Sequence, residues 1–272
     1  MTRTMYFLGV LTTIFTVHPV ILSQPLLLAQ ESTTPSTQSS DNSPSNAVGW
    51  YNQGVDKITE GDYQGAIADF SEAIKLAPQD PDSYYNRGYA YHILGEIDEA
   101  LSDYNQAIEL NPQFAYAYGN RCYAFYQSKK YEQALSDCSE AIKLNSNYAD
   151  FYIYRGNAKD DLGNYQDAIA DYTQAISIKG DYPKAYYNRG LAYSRAGKLS
   201  EAIADYSKCL ELDPNFADAY YNRGLTQFQM GNQKEAIADL EKAAQLFTTQ
   251  GNTAYAQQAR DTLQKLQNTN DT

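Results

Sequence analysis

Cations, histidine and cysteine are all scarce in this chain, and each shortage excludes something. Lys and Arg total 21 against 33 Asp and Glu over 272 residues, a net charge of −12. So acidic a chain repels a phosphate backbone, and no nucleic acid is expected among its partners. Only two His are present, and one of them, His18, falls in an N-terminal stretch read below as a leader, which leaves His92 by itself. The three Cys, Cys122, Cys138 and Cys209, have no CxxC spacing. No zinc site, and no other metal or cofactor motif, can be assembled from this inventory. Phosphate-cradling glycine loops and the HExxH pattern are missing too, and His92 has no nucleophile or base pattern to work with, so no enzyme is expected. Long apolar runs are also lacking. Tyr6–Val17 is largely apolar but is broken by Thr12, Thr13 and Thr16 and followed by His18 and Pro19. That falls short of the ~20 residues a membrane helix needs.

The same stretch has the layout of a secretory leader. Arg3 gives a positive start, an apolar run follows, and a small-residue cut is expected after Ala29, making residues 1–29 a signal peptide. The chain is therefore expected outside the cytoplasm, in a periplasm, an equivalent lumen or the extracellular space. A membrane enters only if the leader stays uncleaved. Residues 30–46 are rich in Ser, Thr and Pro with almost nothing apolar to bury, and are expected to form a disordered tether.

What the chain has in excess is Tyr, 26 copies, and much of it is periodic. The pentapeptide YYNRG occurs at Tyr84–Gly88, Tyr186–Gly190 and Tyr220–Gly224, with the last two 34 residues apart and Tyr84 three such periods before Tyr186. From Ala47 the chain divides without gaps into six 34-residue units, 47–80, 81–114, 115–148, 149–182, 183–216 and 217–250. Each carries two stretches of helical apolar spacing around a break that holds Gly61, Gly95, Gly163, Gly197 or Gly231, with Lys129 in unit three. Small residues form columns at Ala66, Ala100, Ala134, Ala168, Ala202 and Ala236, and at Gly54, Gly88, Cys122, Gly156, Gly190 and Gly224. A large column runs Phe70, Tyr104, Cys138, Tyr172, Tyr206, Leu240. Small against large lets antiparallel helices interlock, and stacked units bury what one unit cannot.

In unit two these columns read Tyr84, Gly88, Tyr91, Ala100, Tyr104, Ala107, Pro112. That pattern resembles the tetratricopeptide repeat, a 34-residue helix–turn–helix unit. The resemblance covers residues 47–250. It implies an all-α, right-handed solenoid with a concave groove lined by the first helix of each unit, and it does not name a ligand. Residues 251–267 have a helical pattern at Tyr255, Ala259, Leu263 and Leu266 and are expected to cap the stack, before a polar tail at 268–272.

Two features depart from the broad family pattern or add to it. Arg87, Arg121, Arg155, Arg189 and Arg223 stand where the common unit has Leu, and an Asp recurs in every second helix. Unit one has Gln53 in place of Arg and no preceding unit. Each Arg is therefore expected to pair with the Asp of the unit before it, as Asp69–Arg87, Asp103–Arg121, Asp137–Arg155, Asp171–Arg189 and Asp205–Arg223. The three Cys lie in packing columns and are read as small buried hydrophobes rather than as a disulfide.

The groove is expected to bind an extended peptide or protein through aromatic and amide groups. Unit two presents Tyr85, Asn86, Tyr89 and His92, and unit three Tyr116, Asn120, Tyr123, Tyr126 and Gln127. Unit four presents Tyr154, Asn157, Asp160 and Asp161, unit five Tyr187, Asn188, Leu191 and Arg195, and unit six Tyr221, Asn222, Leu225, Phe228 and Gln229. Two roles stand open for the tyrosines: packing between first helices, or lining the groove. The asparagines point more to binding, because Asn is a poor helix former. Tyr with Asn also suits a sugar, so a carbohydrate-binding module is the alternative function. No Lys occupies the fifth position of a unit, so the family's clamp for a C-terminal carboxylate is not expected.

Overall fold

The computed structural model describes residues 44–268, so the readings of residues 1–43 as leader and tether, and of the last few residues as a tail, lie outside it. Among the described residues there are thirteen helices and no strand. The first helices of the units are α1 (Ala47–Glu60), α3 (Pro81–Ile93), α5 (Ala115–Gln127), α7 (Ala149–Asp161), α9 (Pro183–Arg195) and α11 (Ala217–Gln229). The second helices are α2 (Tyr63–Leu76), α4 (Ile97–Leu110), α6 (Tyr131–Leu144), α8 (Tyr165–Ile178), α10 (Leu199–Leu212) and α12 (Gln233–Thr249), and α13 (Thr253–Asn268) follows. Each helix packs chiefly on its neighbours in sequence, and consecutive first helices also touch. The result is an all-α solenoid. None of these helices is long and apolar enough to cross a membrane.

Local chemistry sets the ends. Asn46 and Asp62 accept from the backbone N–H of Gly49 and Gly65 at 2.8 and 2.9 Å, and Pro81 and Pro183 open α3 and α9 where a missing N–H costs nothing. The turn between the paired helices needs a left-handed residue, supplied by Gly at φ 76 to 83° in five units and by Lys129 at φ 57° in the third. A side chain there costs about 1 kcal/mol. Lys129→Gly is therefore expected to raise the melting temperature by roughly 2–4 °C, read by circular dichroism. No change would mean the lysine stem recovers that cost through contacts.

The interior is the set of columns. Ala66, Ala100, Ala134, Ala168, Ala202 and Ala236 are completely buried, as are Phe70, Tyr104, Tyr206 and Leu240. At the C-terminal end α13 lies on α12, bringing Ala256 and Ala259 against Ala243, Ala244 and Phe247.

Two expectations are overturned. Each Arg forks onto the Asp of its own unit, not of the unit before. Arg87 Nε and Nη2 donate to Asp103 at 2.7 Å each, and the same fork joins Arg121–Asp137, Arg155–Asp171, Arg189–Asp205 and Arg223–Asp239. The two residues face each other across the helical hairpin, where a planar guanidinium meets a carboxylate edge-on. The inter-unit staple exists in another form. The remaining Nη1 reaches back to a polar group of the preceding unit, as Arg87 to Ser71 at 3.1 Å, Arg121 to Asn105 at 2.7 Å, Arg189 to Thr173 at 3.1 Å and Arg223 to Ser207 at 2.9 Å. The missing Arg of unit one misled because Lys57, one turn further along α1, serves Asp69 at 2.7 Å.

The second correction is a disulfide between Cys122 and Cys138, joining α5 to α6. In every other unit these two columns hold Gly against a large side chain, so that a Cβ on Gly54 would sit 2.8 Å from the Phe70 ring and one on Gly156 2.7 Å from Tyr172. Unit three exchanges small-against-large for two medium residues bonded to each other. Cys209 remains a free, buried thiol in the alanine column of the second helices.

Candidate functional site

The face built from the first helices contains the residues singled out in the sequence, and most of them are engaged inside it. Tyr85, Asn86, Tyr89, His92, Tyr123, Tyr154, Asn157 and Asn188 are buried. Asn120, Tyr126, Tyr187, Arg195, Tyr221, Asn222 and Phe228 are half-buried, while Gln127, Asp161 and Gln229 are exposed.

A repeating hydrogen bond accounts for the second Tyr and the Asn of YYNRG. Asn86 Nδ2 donates to the Tyr51 hydroxyl of unit one at 3.0 Å, Asn120 to Tyr85 at 3.0 Å, and Asn222 to Tyr187 at 3.1 Å. Asn86 and Asn222 also donate to the carbonyls of Asp82 and Asp218 one turn back at 3.0 and 2.9 Å. A buried hydroxyl is costly without a partner, and an amide aimed at it from the next unit satisfies it and fixes the register. At the end of the stack Tyr221 is reached from the cap instead, by Gln258 Nε2 at 3.1 Å.

The ladder breaks at unit four. Gly119 and Ile153 occupy the Tyr positions of units three and four, and Tyr154 occupies an Asn position. Different contacts fill the gap. Phe151 lies over Gly119, where an added Cβ would be 2.1 Å from the ring. Tyr154 packs on Tyr123 at 4.8 Å between ring centres, and Tyr123 stacks on His92 at 5.3 Å. Asn188 has no Tyr to meet and donates to Asn157 Oδ1 at 3.1 Å, which also accepts from the Tyr172 hydroxyl at 2.9 Å. The first helices of units three and four, α5 and α7, share a more extensive contact than any other two consecutive first helices.

His92 is a structural residue here. Its Nε2 lies 2.7 Å from Gln127 Oε1, which can only accept, so Nε2 carries the proton and Nδ1 accepts from the Tyr104 hydroxyl at 3.3 Å. Burial holds its pKa below the ordinary imidazole value.

Charge on this face is lopsided. Asp82, Asp150, Asp160, Asp161 and Asp218 stand against Lys184 and Arg195. The densest part lies between α5, α7 and α9. Arg195 Nη1 donates to Asp160 Oδ2 and lies 3.8 Å from Asp161. Burial holds the Asp160 pKa up to about 6; Asp161 adds to the rise and Arg195 opposes it. Asp160 Oδ1 is buried without a hydrogen-bond partner. Asp161 Oδ2 accepts from the Tyr126 hydroxyl at 3.1 Å, and the Tyr126 ring lies 6.1 Å from that of Tyr131. Reading first helices alone missed Tyr131, which opens a second helix. No group of three or more His, Cys, Asp or Glu placed to hold a metal occurs among the described residues.

A family model described as tetratricopeptide repeat matches residues 81–114, 115–148, 183–216 and 217–247, and one described as TPR repeat matches 58–95 and 156–197. No curated protein matches the chain. Among solved structures, one of MamA protein is 30% identical, covers 63% of this chain and 94% of its own, and has a TM-score of 0.55. One of YrrB, described as a TPR protein with an unusual peptide-binding site, is 25% identical with 71% and 97% covered and a TM-score of 0.56. One of TTC0263, a thermophilic TPR protein of Thermus thermophilus, is 26% identical with 67% and 99% covered and a TM-score of 0.55.

Proposed function

The chain belongs to the tetratricopeptide-repeat family, and from that premise we propose that it is a non-catalytic scaffold that binds an extended segment of another protein along the face of its first helices, outside the cytoplasm. The observation that carries the reading is the make-up of that face. Its buried Tyr and Asn are tied into a rigid ladder, which lowers the ordering cost of binding. What it leaves toward solvent is a row of half-buried rings and exposed amides and carboxylates, a surface suited to a peptide backbone and its side chains. YrrB, a relative by sequence and fold, is described as having a peptide-binding site. The Cys122–Cys138 bond and the leader-like residues 1–29 favour an oxidising compartment.

Site-specific photo-crosslinking tests this. A photoreactive residue is placed on the full-length chain at Gln127, Asp161 or Gln229 of the first-helix face, or at exposed Ser136 or Gln174 of the second helices. Crosslinking in the native extracytoplasmic fraction is expected to yield the same protein from the first three positions and none from the other two. Capture from Ser136 and Gln174 alone would move binding to the second-helix face. Loss of capture on treating the partner with glycosidases would favour the carbohydrate reading.

A further inference from the structure

We propose that units three and four form a subsite for one lysine or arginine side chain of the bound segment, laid against the outer side of the Tyr126–Tyr131 ring pair and closed by the carboxylate of Asp161. This rests on the peptide-binding reading and names the chemistry of its centre.

The position is exceptional within the repeat. At the twelfth and thirteenth residues the other units carry Ile58 with Thr59, His92 with Ile93, Tyr126 with Gln127, Ser194 with Arg195, and Phe228 with Gln229. Only unit four has two acids, Asp160 and Asp161. Arg195 is the cation within salt-bridge distance of both, and its close contact is to Asp160, while Asp161 is exposed and 3.8 Å away. Two carboxylates thus share one guanidinium, and Asp160 Oδ1 has no hydrogen-bond partner. The cluster is one positive charge short.

The wall fits that charge. Tyr126 and Tyr131 pack on each other at 47° with centres 6.1 Å apart, a joined aromatic wall, and the Tyr126 hydroxyl is fixed on Asp161. A cation over an aromatic face beside a carboxylate is held by both. The chain already uses this pairing elsewhere: Arg121 lies 5.4 Å over Tyr118 and Arg223 5.5 Å over Tyr220. An alkyl stem on the rings with its charged head at Asp161 is the geometry that long basic side chains favour.

The site also carries its own pH signature. The groups facing Asp160 are Asp161 on its own helix, Arg195 on α9, Tyr172 on α8 and Tyr206 on α10, with Tyr126 of α5 beside them. Burial holds the Asp160 pKa up to about 6. Below that value it is neutral, Arg195 is left to Asp161, and the pull on an incoming cation drops.

The test uses the full chain and four pooled peptide libraries with a fixed central residue, lysine, arginine, norleucine or glutamate, in randomised flanks. At pH 7.5 the lysine and arginine pools are expected to be retained at least tenfold over norleucine, and glutamate least. Asp161→Asn should remove that preference. Tyr131→Leu should weaken retention of the cationic pools several-fold, with Tyr131→Phe close to wild type. The preference should shrink at pH 5. Circular dichroism confirms folding, and Asp161→Asn keeps an acceptor oxygen for the Tyr126 hydroxyl. Retention of all pools without a cationic preference, or a preference untouched by Asp161→Asn, overturns the subsite and leaves peptide binding standing. Retention of none overturns both.

Discussion

Gly119→Ala is expected to be the most damaging single-methyl change in the solenoid, costing about 3 kcal/mol, the upper end for overpacking a core. The added Cβ would lie 2.1 Å from Phe151 Cε1 and 2.6 Å from Cδ1, distances that no real contact reaches. The ring has nowhere to go. Phe151 is 1% exposed and is boxed in by Tyr148, with ring centres at 4.6 Å, and Tyr116, at 6.0 Å. Backbone movement is the remaining outlet, and it would push α5 off α7 at their junction. The pair is a local exchange of volumes. In the same two columns other units read large then small, Tyr51 and Ser83, Tyr85 and Ala117, Tyr187 and Ala219, whereas here they read Gly119 and Phe151. Phe151→Ala alone should cost about 3–5 kcal/mol by leaving a cavity. Gly119→Tyr with Phe151→Ala restores the common order and should be far milder than the sum of its single changes, by more than about 1.5 kcal/mol in a double-mutant cycle. Urea midpoints, with hydrogen exchange in α5 and α7 to locate the loss, provide the readout. A Gly119→Ala midpoint equal to wild type would show that the junction yields without strain.

How far the sequence could be read follows from what a period encodes. A 34-residue repeat fixes which residues share a column, so the helix pairs and the small-against-large interior are legible from spacing. It does not say to which side a long side chain turns. Arg87 lies 16 residues before Asp103 and 16 after Ser71, and it uses both. The sequence suggested a staple between units, and the carboxylate turned out to lie within the unit. The asparagines show the same limit. Asn in mid-helix signals a side-chain role, and that role is to satisfy the hydroxyl of the preceding Tyr, information that lies in the pairing of two columns 35 residues apart. The legible signal for the unusual centre was departure from the period itself: Gly119, Phe151, Tyr154 and the Asp160–Asp161 pair all break their columns. The ring pair at Tyr126 stayed hidden because Tyr131 enters from the second helix.

The paired cysteines were open to the same kind of reading. Cys122 stands in the glycine column and Cys138 in the aromatic column, and these columns face each other in every unit, as Gly88 faces Tyr104. A double exception at facing positions is a compensated pair. Removing the bond by Cys122→Ser with Cys138→Ser is expected to lower stability by about 3 kcal/mol, the chain-entropy value for a loop of this size, since the cysteines are 16 residues apart. Two buried hydroxyls in place of the sulfurs add to that loss. Cys122→Gly with Cys138→Tyr should instead recover most of it, because it restores the packing of the other units, and its melting temperature should not respond to dithiothreitol. Alkylation under denaturing conditions should label one thiol, Cys209, before reduction and three after. Three thiols without reductant would overturn the pairing. If the Gly/Tyr variant were no more stable than the Ser/Ser one, the bond would be fixing a geometry that the repeat's own packing does not supply at unit three. That unit would then be shaped by its cysteines, and the extensive contact of α5 with α7, with the acidic cluster beside it, would depend on an oxidising environment.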